Sequence, residues 1–499
     1  MSTWKSEIES RRRDEIGTID KEAPDAVALL YPSPYHVAMS SLGYQTIYRS
    51  INASPGRAAH RAFLPDDVAA WKASRSPLVT YERLRPMSDY RVIAVSVAYE
   101  TELAGLVQAL ELSGIPPLSE HREARHPLIL AGGPLTFSNP LPLAPFVDAV
   151  LMGEADQSIH RVLGTIFEAD SKQSALRTLS AEPHVFVPSL EGDLLPPIDK
   201  ADRAELPAYS QIITPHTELR NMFLIEPERG CHRGCTYCVM RRSTNDGMRV
   251  VKMDKVLSLV PDHAERVGLV GAATTDHPQI AELVNALADS GREVGLSSLR
   301  ADRLNDELVA ALRRGGHRIL TTASDGTSQR MRDMIQRRTS EEQLRNAARL
   351  ARKHGMKRLK LYVMVGLPTE TDEDIDELVE FGTELSSIIP LSLGVAPFVA
   401  KRNTPLDGTP FAGMPLVEAR LRRLRRGVRG KVDVRATSAR WAWIEYVLAQ
   451  GGRAEGLAVL EAVHAGGRFA DWKRAFDALP SDRPRRLLVR PGDRLGRAS

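Results

Sequence analysis

The sequence predicts an α/β protein built from two domains and a helical C-terminal segment. At 499 residues the chain exceeds what one hydrophobic core normally supports, so two or three domains are expected. Short apolar runs rich in Val, Ile, Leu and Ala alternate with segments of helical periodicity, which is typical of parallel sheets. The stretch Pro196–Pro207 interrupts this alternation and has the composition of a linker.

The first domain is expected over residues 25–200, after a polar lead-in over residues 1–24. Its predicted strands are Ala26–Tyr31, Val92–Val97, Pro127–Ala131 and Val147–Met152. Helical spacing lies between them, over Tyr35–Ile51, Thr101–Ser113 and Glu154–Phe167. A doubly wound parallel sheet is the simplest arrangement of these elements, with ligands bound at the carboxyl ends of the strands.

The second domain is expected over residues 201–410. Its six predicted strands are Met222–Glu226, Val267–Ala272, Val294–Ser298, Arg318–Thr322, Leu359–Val365 and Ser392–Ala396. Six strands with helices between them amount to a partial barrel, two strands short of a complete eight-stranded one. Residues 411–499 are expected to form a helical extension with a basic tail.

Composition and charge exclude some classes of protein. No apolar run reaches the eighteen residues of a membrane span, and no secretory signal is evident, so a cytoplasmic protein without membrane contact is expected. The net charge of +4 argues neither for nor against nucleic acid as a partner. The arginines within residues 420–429 suit a solvated helix face, although RNA or a phosphorylated substrate stays open. The chain lacks a phosphate-binding loop for nucleotide hydrolysis.

The three cysteines of the chain, Cys231, Cys235 and Cys238, lie within eight residues. An odd, tightly clustered number makes a poor disulfide framework and indicates a metal site. Soft thiolates at this spacing suit three corners of a [4Fe–4S] cluster, which leaves the fourth iron open to a small molecule. Gly230 and Gly234 fit a tight loop whose backbone approaches the cluster.

Two other metal-site interpretations are weaker. A structural zinc site needs a fourth ligand, and His232, the nearest, stands between two of the cysteines in poor geometry. An electron-transfer ferredoxin completes its cluster with a fourth cysteine, which this chain does not have. The cluster with one open iron is therefore the favoured hypothesis.

The motif Cys231-x3-Cys235-x2-Cys238, with Tyr237 before its last cysteine, resembles the signature of the radical S-adenosylmethionine (SAM) superfamily. The resemblance extends over residues 220–400 and implies a partial six-stranded barrel. It further implies a [4Fe–4S] cluster, SAM as cofactor, and an electron donor such as flavodoxin or ferredoxin. In such enzymes a reduced cluster cleaves SAM, and the resulting 5′-deoxyadenosyl radical abstracts hydrogen from a substrate.

The same resemblance implies residues that contact SAM: Thr275, Arg300, Asp325, Val365 and Gly366. Two of them depart from the family pattern. Thr275 lies where many members carry Gly-Gly-Glu, and Asp325 lies where many carry Glu-Ser-Gly-Ser. Asp276 and His277, which follow Thr275, suit a proton relay or substrate contact, although Asp is also a good helix cap.

In the first domain, Gly132-Gly133-Pro and the later Val147-Asp-Ala-Val-Leu-Met-Gly153-Glu resemble the cobalamin-binding-type domain of B12-dependent radical SAM proteins. The resemblance implies that Gly132, Gly133 and Gly153 contact cobalamin. By spacing alone these glycines suit ordinary turns equally well. The chain has no Asp-x-His-x-x-Gly motif to ligate cobalt, so bound cobalamin is left open.

The leading functional hypothesis is a radical SAM enzyme, with cobalamin-dependent methyl transfer to an unactivated centre as one form of it. A second is hydrogen abstraction without cobalamin, and a third is a non-catalytic, RNA- or partner-binding iron–sulfur protein. Methylthiotransferases and other members with auxiliary clusters need further cysteines, which this chain lacks. No residue is assigned a catalytic role beyond cofactor binding, and the substrate is not identified.

Overall fold

The structure, a computed structural model, describes residues 3–240, 247–296, 299–480 and 488–489. The chain divides into two compact units. The first comprises Met1–Asn221 together with Val447–Ser499, and the second comprises Met222–Tyr446. Residues 201–221 and the last part of the chain therefore group with the first unit, whereas the sequence suggested a boundary at residue 200 and a separate extension from residue 411.

The strands, in chain order, are β1 Asp25–Tyr31, β2 Arg57–Phe63, β3 Val92–Ser96, β4 Leu128–Gly132, β5 Ala149–Leu151, β6 Val185–Phe186, β7 Leu194–Leu195, β8 Met222–Ile225, β9 Glu228–Arg229, β10 Arg249–Val250, β11 Arg266–Leu269, β12 Glu293–Leu296, β13 Ile319–Asp325, β14 Arg358–Val365, β15 Leu391–Pro397, β16 Val432–Ala436 and β17 Leu488–Val489.

The α-helices are α1 Thr3–Arg13, α2 Tyr35–Ala38, α3 Leu42–Ala53, α4 Val68–Ala73, α5 Glu102–Leu112, α6 Ser158–Glu168, α7 Lys172–Ser180, α8 Pro188–Glu191, α9 Met253–Ser258, α10 Ile280–Asp289, α11 Asp306–Arg314, α12 Gln329–Met334, α13 Glu341–Lys353, α14 Asp372–Ile388, α15 Met414–Gly427, α16 Ala439–Ala449, α17 Arg453–His464 and α18 Phe469–Asp477.

The first unit contains one six-stranded sheet in the order β2-β1-β3-β4-β5-β6. All neighbouring strands are parallel except β5 and β6. The predicted doubly wound parallel sheet is confirmed, with helices supplying the crossovers. The strand order reverses between β1 and β3, and the carboxyl ends of strands at such a switch point form the usual ligand-binding crevice of open α/β sheets.

Strand β2 was not predicted, because its sequence carries charged residues although it lies in the sheet core. Arg61 is fully buried there and is compensated by two carboxylates. Its Nη1 and Nη2 each lie 2.7 Å from a Glu15 oxygen, and its Nε lies 2.5 Å from Glu82 Oε1. The paired charges allow a strand of mixed polarity to be buried.

The second unit contains a three-stranded sheet in the order β12-β11-β8 and a four-stranded sheet in the order β13-β14-β15-β16. All of these strand pairs are parallel. A parallel bridge between Leu299 and Thr322 joins the segment after β12 to β13. The predicted strands are all present, although Ser297 and Ser298 of the third lie outside the described residues.

One strand of the second unit corrects the sequence-based prediction. Strand β16 falls in the segment expected to be mostly helical, where it pairs with β15 from Val432 to Ala436. Its five residues, Val-Asp-Val-Arg-Ala, are too few and too polar to stand out as a buried strand. Elsewhere in this segment α15 to α18 provide the expected helices. No helix in the described ranges is long and apolar enough to cross a membrane.

We predict that the buried ion network is required for the stability of the first unit. Replacing Arg61 with Leu leaves the carboxylates of Glu15 and Glu82 buried without a cation, which should cost about 3–5 kcal/mol of unfolding free energy. The control is Arg83→Leu, because Arg83 pairs only with the exposed Asp20 and Glu22 and should cost less than about 1 kcal/mol. Urea unfolding followed by circular dichroism measures both, and equal losses would contradict the prediction.

Candidate functional site

The three cysteines line one cavity in the second unit. They lie on the loop that follows β9, where Gly230, with φ of +105°, turns the chain into the first cysteine. Cys235 is buried, and Cys231 and Cys238 are half-buried. All three border a cavity of about 230 Å³. The backbone N–H of Arg233 donates to the Sγ atom of Cys231 at 3.4 Å.

Burial favours the protonated thiols of Cys231 and Cys238 in the metal-free protein. It raises the pKa of Cys238 to about 11 and that of Cys231 above its usual value. Ligand binding to a metal requires the thiolate, so loading a metal here releases protons. In the described part of the chain, no three His, Cys, Asp or Glu side chains lie close enough together to bind a single metal ion. A cubane cluster does not require this, because its ligands bind at separate corners.

A buried carboxylate holds the cysteine loop in place. Asp276 Oδ2 accepts from Arg233 Nε at 2.9 Å, and its Oδ1 accepts from Arg233 Nη2 at 2.6 Å. Arg303 Nε donates to the same Oδ1 at 2.9 Å. Burial alone would raise the pKa of Asp276, but the two guanidinium groups outweigh it and hold the pKa below its usual range. Asp276 is therefore a loop anchor.

His277 follows Asp276 in this turn; it is buried, and its ring makes hydrogen bonds to backbone atoms. Its Nε2 lies 2.9 Å from the carbonyl oxygen of Val251, and its Nδ1 accepts from the backbone N–H of Gln279 at 3.1 Å. Both ring nitrogens are occupied, which is the structural role expected for most buried histidines.

Asp325 lies in the cavity wall, as predicted, but its carboxylate is occupied. Its Oδ2 accepts from the Tyr237 hydroxyl and pairs with Arg337 Nε, each at 2.7 Å. The backbone of Asp325 has φ of +60°, an uncommon conformation for a non-glycine residue. These contacts connect the end of β13 with the cysteine loop through Tyr237.

Arg300 also borders the cavity, and Thr275 positions it. The Oγ1 atom of Thr275 accepts from the backbone N–H of Arg300 at 3.2 Å. The Arg300 guanidinium donates from Nε to Asp302 at 3.0 Å and from Nη2 to the carbonyl oxygen of Arg337 at 3.4 Å. Arg300 thus has the location predicted for a SAM contact, whereas Thr275 is not among the residues lining the cavity.

Val365 and Gly366 mark the carboxyl end of β14 and are not among the cavity-lining residues. Val365 is fully buried, and Gly366 has φ of +88°, which favours glycine. The backbone N–H of Gly366 donates to Glu370 Oε2 at 2.7 Å, and Arg420 Nη1 donates to the same oxygen at 2.9 Å. Arg420, counted in the basic cluster of the sequence, is therefore buried and fixes this turn.

Three residues in or near the site were not identified from the sequence. Arg337 and Tyr362 line the cavity but lie in no recognisable motif. Glu228 is fully buried three residues before the first cysteine, and its Oε1 accepts from the backbone N–H of Ala273 at 2.8 Å. A Cβ atom on Gly271 would lie 2.1 Å from that oxygen, so only glycine fits there. Burial raises the pKa of Glu228 to about 8.

The chemistry of these residues fits a [4Fe–4S] cluster together with SAM. Cys231, Cys235 and Cys238 supply three soft ligands in one cavity, which leaves one iron for a small molecule. Arg300 and Arg337 line the same cavity and offer guanidinium groups to a carboxylate such as that of the methionine moiety. These five residues would hold the two groups.

The three glycines assigned to cobalamin lie at the carboxyl ends of β4 and β5, as predicted, but in different surroundings. A Cβ atom on Gly133 would lie 2.7 Å from the carbonyl oxygen of Val97, and one on Gly153 would lie 2.4 Å from that of Asp199. Close backbone packing within the unit thus accounts for both glycines. A Cβ atom on Gly132 would meet no atom nearer than 3.6 Å.

The carboxyl end of β4, beside Gly132, leaves more room for a large ligand than the carboxyl end of β5 at Gly153. Tyr99, in the loop after β3, exposes 48% of its surface at this edge. The loops that follow β3, β4 and β5 contain no histidine, so they offer no imidazole ligand for cobalt. Gly132 and Tyr99 are the residues of this edge that would contact a bound cobalamin.

Comparison with family models matches both units. Residues 43–188 match the model for the N-terminal region of radical SAM proteins, and residues 225–382 match the model for the radical SAM superfamily. An uncharacterized protein of Methanocaldococcus jannaschii is 27% identical over 399 residues, which are 77% of this chain and 80% of the relative.

Two solved structures share the fold. The radical SAM methyltransferase TsrM from Kitasatospora setae, with tryptophan substrate and a SAM analogue bound, has a TM-score of 0.53 at 13% identity, over 74% of this chain and 72% of that one. The cobalamin-dependent radical SAM enzyme OxsB with aqua-cobalamin bound has a TM-score of 0.51 at 13% identity, over 82% of this chain and 58% of that one. At these identities the similarity is one of fold.

We predict that Glu228 makes stability fall as pH rises. Its pKa is about 8 in the folded protein and near 4.5 when unfolded, so between these values the folded state binds more protons and rising pH destabilises it. Glu228→Gln keeps the acceptor for Ala273 and cannot ionise. On going from pH 5 to pH 8, the free energy of unfolding of this variant should rise by about 2–4 kcal/mol relative to that of the wild type.

Urea unfolding at the two pH values measures this gain. The matched control is Glu293→Gln, because Glu293 is exposed and pairs with Arg266 at the surface. Its effect should stay below about 1 kcal/mol at both pH values. A Glu228→Gln variant with the same pH dependence as the wild type would show that the carboxylate is ionised in the folded protein.

Proposed function

The chain belongs to the radical SAM superfamily, and on that premise we propose that it is an enzyme that cleaves SAM reductively. The observation that carries the proposal is the single cavity lined by Cys231, Cys235 and Cys238 together with Arg300 and Arg337. The products would be methionine and a 5′-deoxyadenosyl radical, which takes a hydrogen atom from a substrate. A flavodoxin- or ferredoxin-type protein is the proposed electron donor.

A bound [4Fe–4S] cluster would supply the electron that breaks the carbon–sulfur bond of SAM. The chain's own residues position the reactants. Asp276 holds the cysteine loop through Arg233, and Asp325 holds Arg337 and Tyr237 against the same loop. Arg300 and Arg337 would orient the carboxylate of SAM, because guanidinium groups bind carboxylates with defined geometry. The cavity walls would shield the radical from water.

The test uses anaerobically purified, iron-reconstituted protein given SAM and a strong reductant. We expect 5′-deoxyadenosine, detected by mass spectrometry, from the wild type. Cys235→Ala should lower its formation by about a hundredfold or more, because a cluster ligand is lost.

The control variant is Ser258→Ala, which removes an exposed hydroxyl group bonded only to the carbonyl oxygen of Lys255. It should form 5′-deoxyadenosine at the wild-type rate. If the wild type carries a full complement of iron, binds SAM and forms no product with any electron donor tried, the chain is an iron–sulfur binding protein.

A second candidate function is cobalamin-dependent methyl transfer to an unactivated centre. It is supported by the open sheet edge at Gly132 and Tyr99, and by the fold shared with OxsB, whose structure contains aqua-cobalamin. A bound cobalamin would carry the methyl group from SAM to the substrate. In the chain itself, Gly132 would allow close approach of the ligand at the carboxyl end of β4.

Cobalt content tests this second candidate. After incubation with hydroxocobalamin and gel filtration, we expect the wild type to retain about one cobalt per chain by mass spectrometry of the metal. Gly132→Val should retain less than about a third, because its side chain would occupy the sheet edge where the ligand approaches, and its Cβ atom would meet no protein atom nearer than 3.6 Å. A wild type that retains no cobalt would leave SAM cleavage without cobalamin as the function.

A further inference from the structure

A buried arginine contacts the side chain of one of the three cysteines. The Arg337 guanidinium donates a hydrogen bond to the side chain of Cys235, and both residues line the same cavity. The Arg337 side chain is only 11% exposed. Hydrogen bonds to the ligand sulfur atoms and nearby charge are among the factors that set the reduction potential of an iron–sulfur cluster. Arg337 therefore lies where its charge can act on a cluster bound to Cys235.

Backbone packing holds the segment that carries Arg337 against the cysteine loop. The backbone N–H of Thr236 donates to the carbonyl oxygen of Ile335 at 3.1 Å. A Cβ atom on Gly234 would lie 3.3 Å from Gln336 Oε1, so the loop also approaches the Gln336 side chain closely. Contacts at two positions of the loop thus fix its distance from this segment.

The chain adopts an uncommon conformation on both sides of Arg337. Gln336 and Arg338 have φ of +52° and +53°, in the left-handed region that non-glycine residues seldom adopt. Asp325, which pairs with Arg337, also lies in this region, with φ of +60°. Strained backbone of this kind persists where the surrounding structure over-determines it, and it clusters at functional sites. Three such residues around one side chain indicate that the fold specifies the position of Arg337.

One carboxylate pairs with Arg337. Asp325 Oδ2 lies 2.7 Å from Arg337 Nε and also accepts from the Tyr237 hydroxyl. Arg337 Nη2 donates to the carbonyl oxygen of Ala323 at 3.4 Å, which holds the guanidinium group from a further side. The cation therefore contacts the Cys235 side chain directly, and the carboxylate behind it partly offsets its charge.

We propose that Arg337 raises the reduction potential of a [4Fe–4S] cluster bound to the three cysteines and that Asp325 moderates this effect. Reduction adds one electron, supplied by the electron donor, and so adds one negative charge beside the Cys235 sulfur. A guanidinium group in contact with that sulfur stabilises the reduced state more than the oxidised state. The inference rests on the proposed function, because it requires the cluster. An arginine has five N–H donors, so this role is compatible with the contact to SAM proposed above.

The experiment measures the reduction potential of the cluster-loaded protein without SAM, by an anaerobic redox titration followed by electron paramagnetic resonance. Arg337→Met removes the positive charge, so at a fixed potential the ratio of reduced to oxidised cluster should fall about tenfold. Asp325→Asn removes the negative charge and keeps an acceptor for Tyr237, so this ratio should rise about tenfold. For a one-electron couple, a tenfold change equals a shift of about 59 mV.

Two further variants separate the effect of charge from that of altered packing. Arg337→Lys keeps a positive charge and should leave the ratio within about threefold of the wild type. The double variant Arg337→Met/Asp325→Asn removes both charges, and its ratio should lie between those of the two single variants. Iron content and cluster absorbance show that each variant has loaded its cluster.

The matched controls are Arg358→Met and Asp433→Asn. Arg358 Nη1 lies 3.2 Å from Asp433 Oδ2, and neither residue is among those that line the cavity. Arg358 is the first residue of β14, at the amino end of the strand. Each control removes one charge of an ion pair and should leave the ratio within about threefold of the wild type.

Two outcomes would overturn the inference. One is an equal ratio in the wild type, Arg337→Met and Asp325→Asn, each with a full complement of iron. The other is a shift in the same direction in both variants, because altered packing and not charge would then set the potential. Formation of 5′-deoxyadenosine is measured separately on the wild type, so its absence alongside the expected shifts would count against SAM cleavage and not against the role of Arg337.

Discussion

The candidate site depends on one buried carboxylate that holds two guanidinium groups. Asp276 binds Arg233 in a bidentate contact and Arg303 in a single one, and its side chain is completely removed from solvent. A loop that must present three thiols around a cavity cannot also fill that cavity with packing side chains. Its shape must therefore come from polar contacts with neighbouring segments, and the contact between Arg233 and Asp276 is one that is strong enough to supply it. By sequence Asp276 suits a proton relay, a substrate contact or a helix cap, yet its position explains why the thiols can face an open space.

Strand β14 shows the same arrangement, in which some residues hold the backbone in place and others face the cavity. At its carboxyl end, the pair Glu370–Arg420 is buried behind the turn and fixes the backbone of Gly366. On the inner face of the strand, Tyr362 rests against Gly394, where the missing side chain of one strand makes room for the ring of the next. Buried side chains therefore hold the strand in place, and the strand exposes the Tyr362 ring where Gly394 leaves space. Functional groups held in this way by packed neighbours keep their geometry without closing the cavity.

The sequence predicted features that depend on a single property, such as hydrophobic alternation or cysteine spacing. It did not predict features in which a polar residue is buried by a contact with a distant part of the chain. The alternation of apolar runs and helices, and the spacing of the cysteines, each reflect a single requirement, and the structure has the expected strands. Strand β2 was missed because Arg61 is polar by sequence but buried through Glu15, which is 46 residues away in the chain. Thr275 was expected in the cavity because it replaces a motif residue, yet its hydroxyl serves the backbone of Arg300. Such partners are distant in sequence, so no local pattern could have revealed them.

The glycines at the sheet edge of the first unit illustrate the same limit more sharply. A glycine at the end of a parallel strand is required both when a ligand approaches the backbone and when another segment of the chain does. Both requirements place a glycine at the position, and only the atoms around the space that a Cβ atom would occupy distinguish them. At Gly153 that space holds the backbone of Asp199, so the glycine is explained without a ligand. At Gly132 a Cβ atom would meet no atom nearer than 3.6 Å, so close packing gives no reason for a glycine there. A motif of several glycines can therefore combine both causes, and each of its positions has to be judged separately.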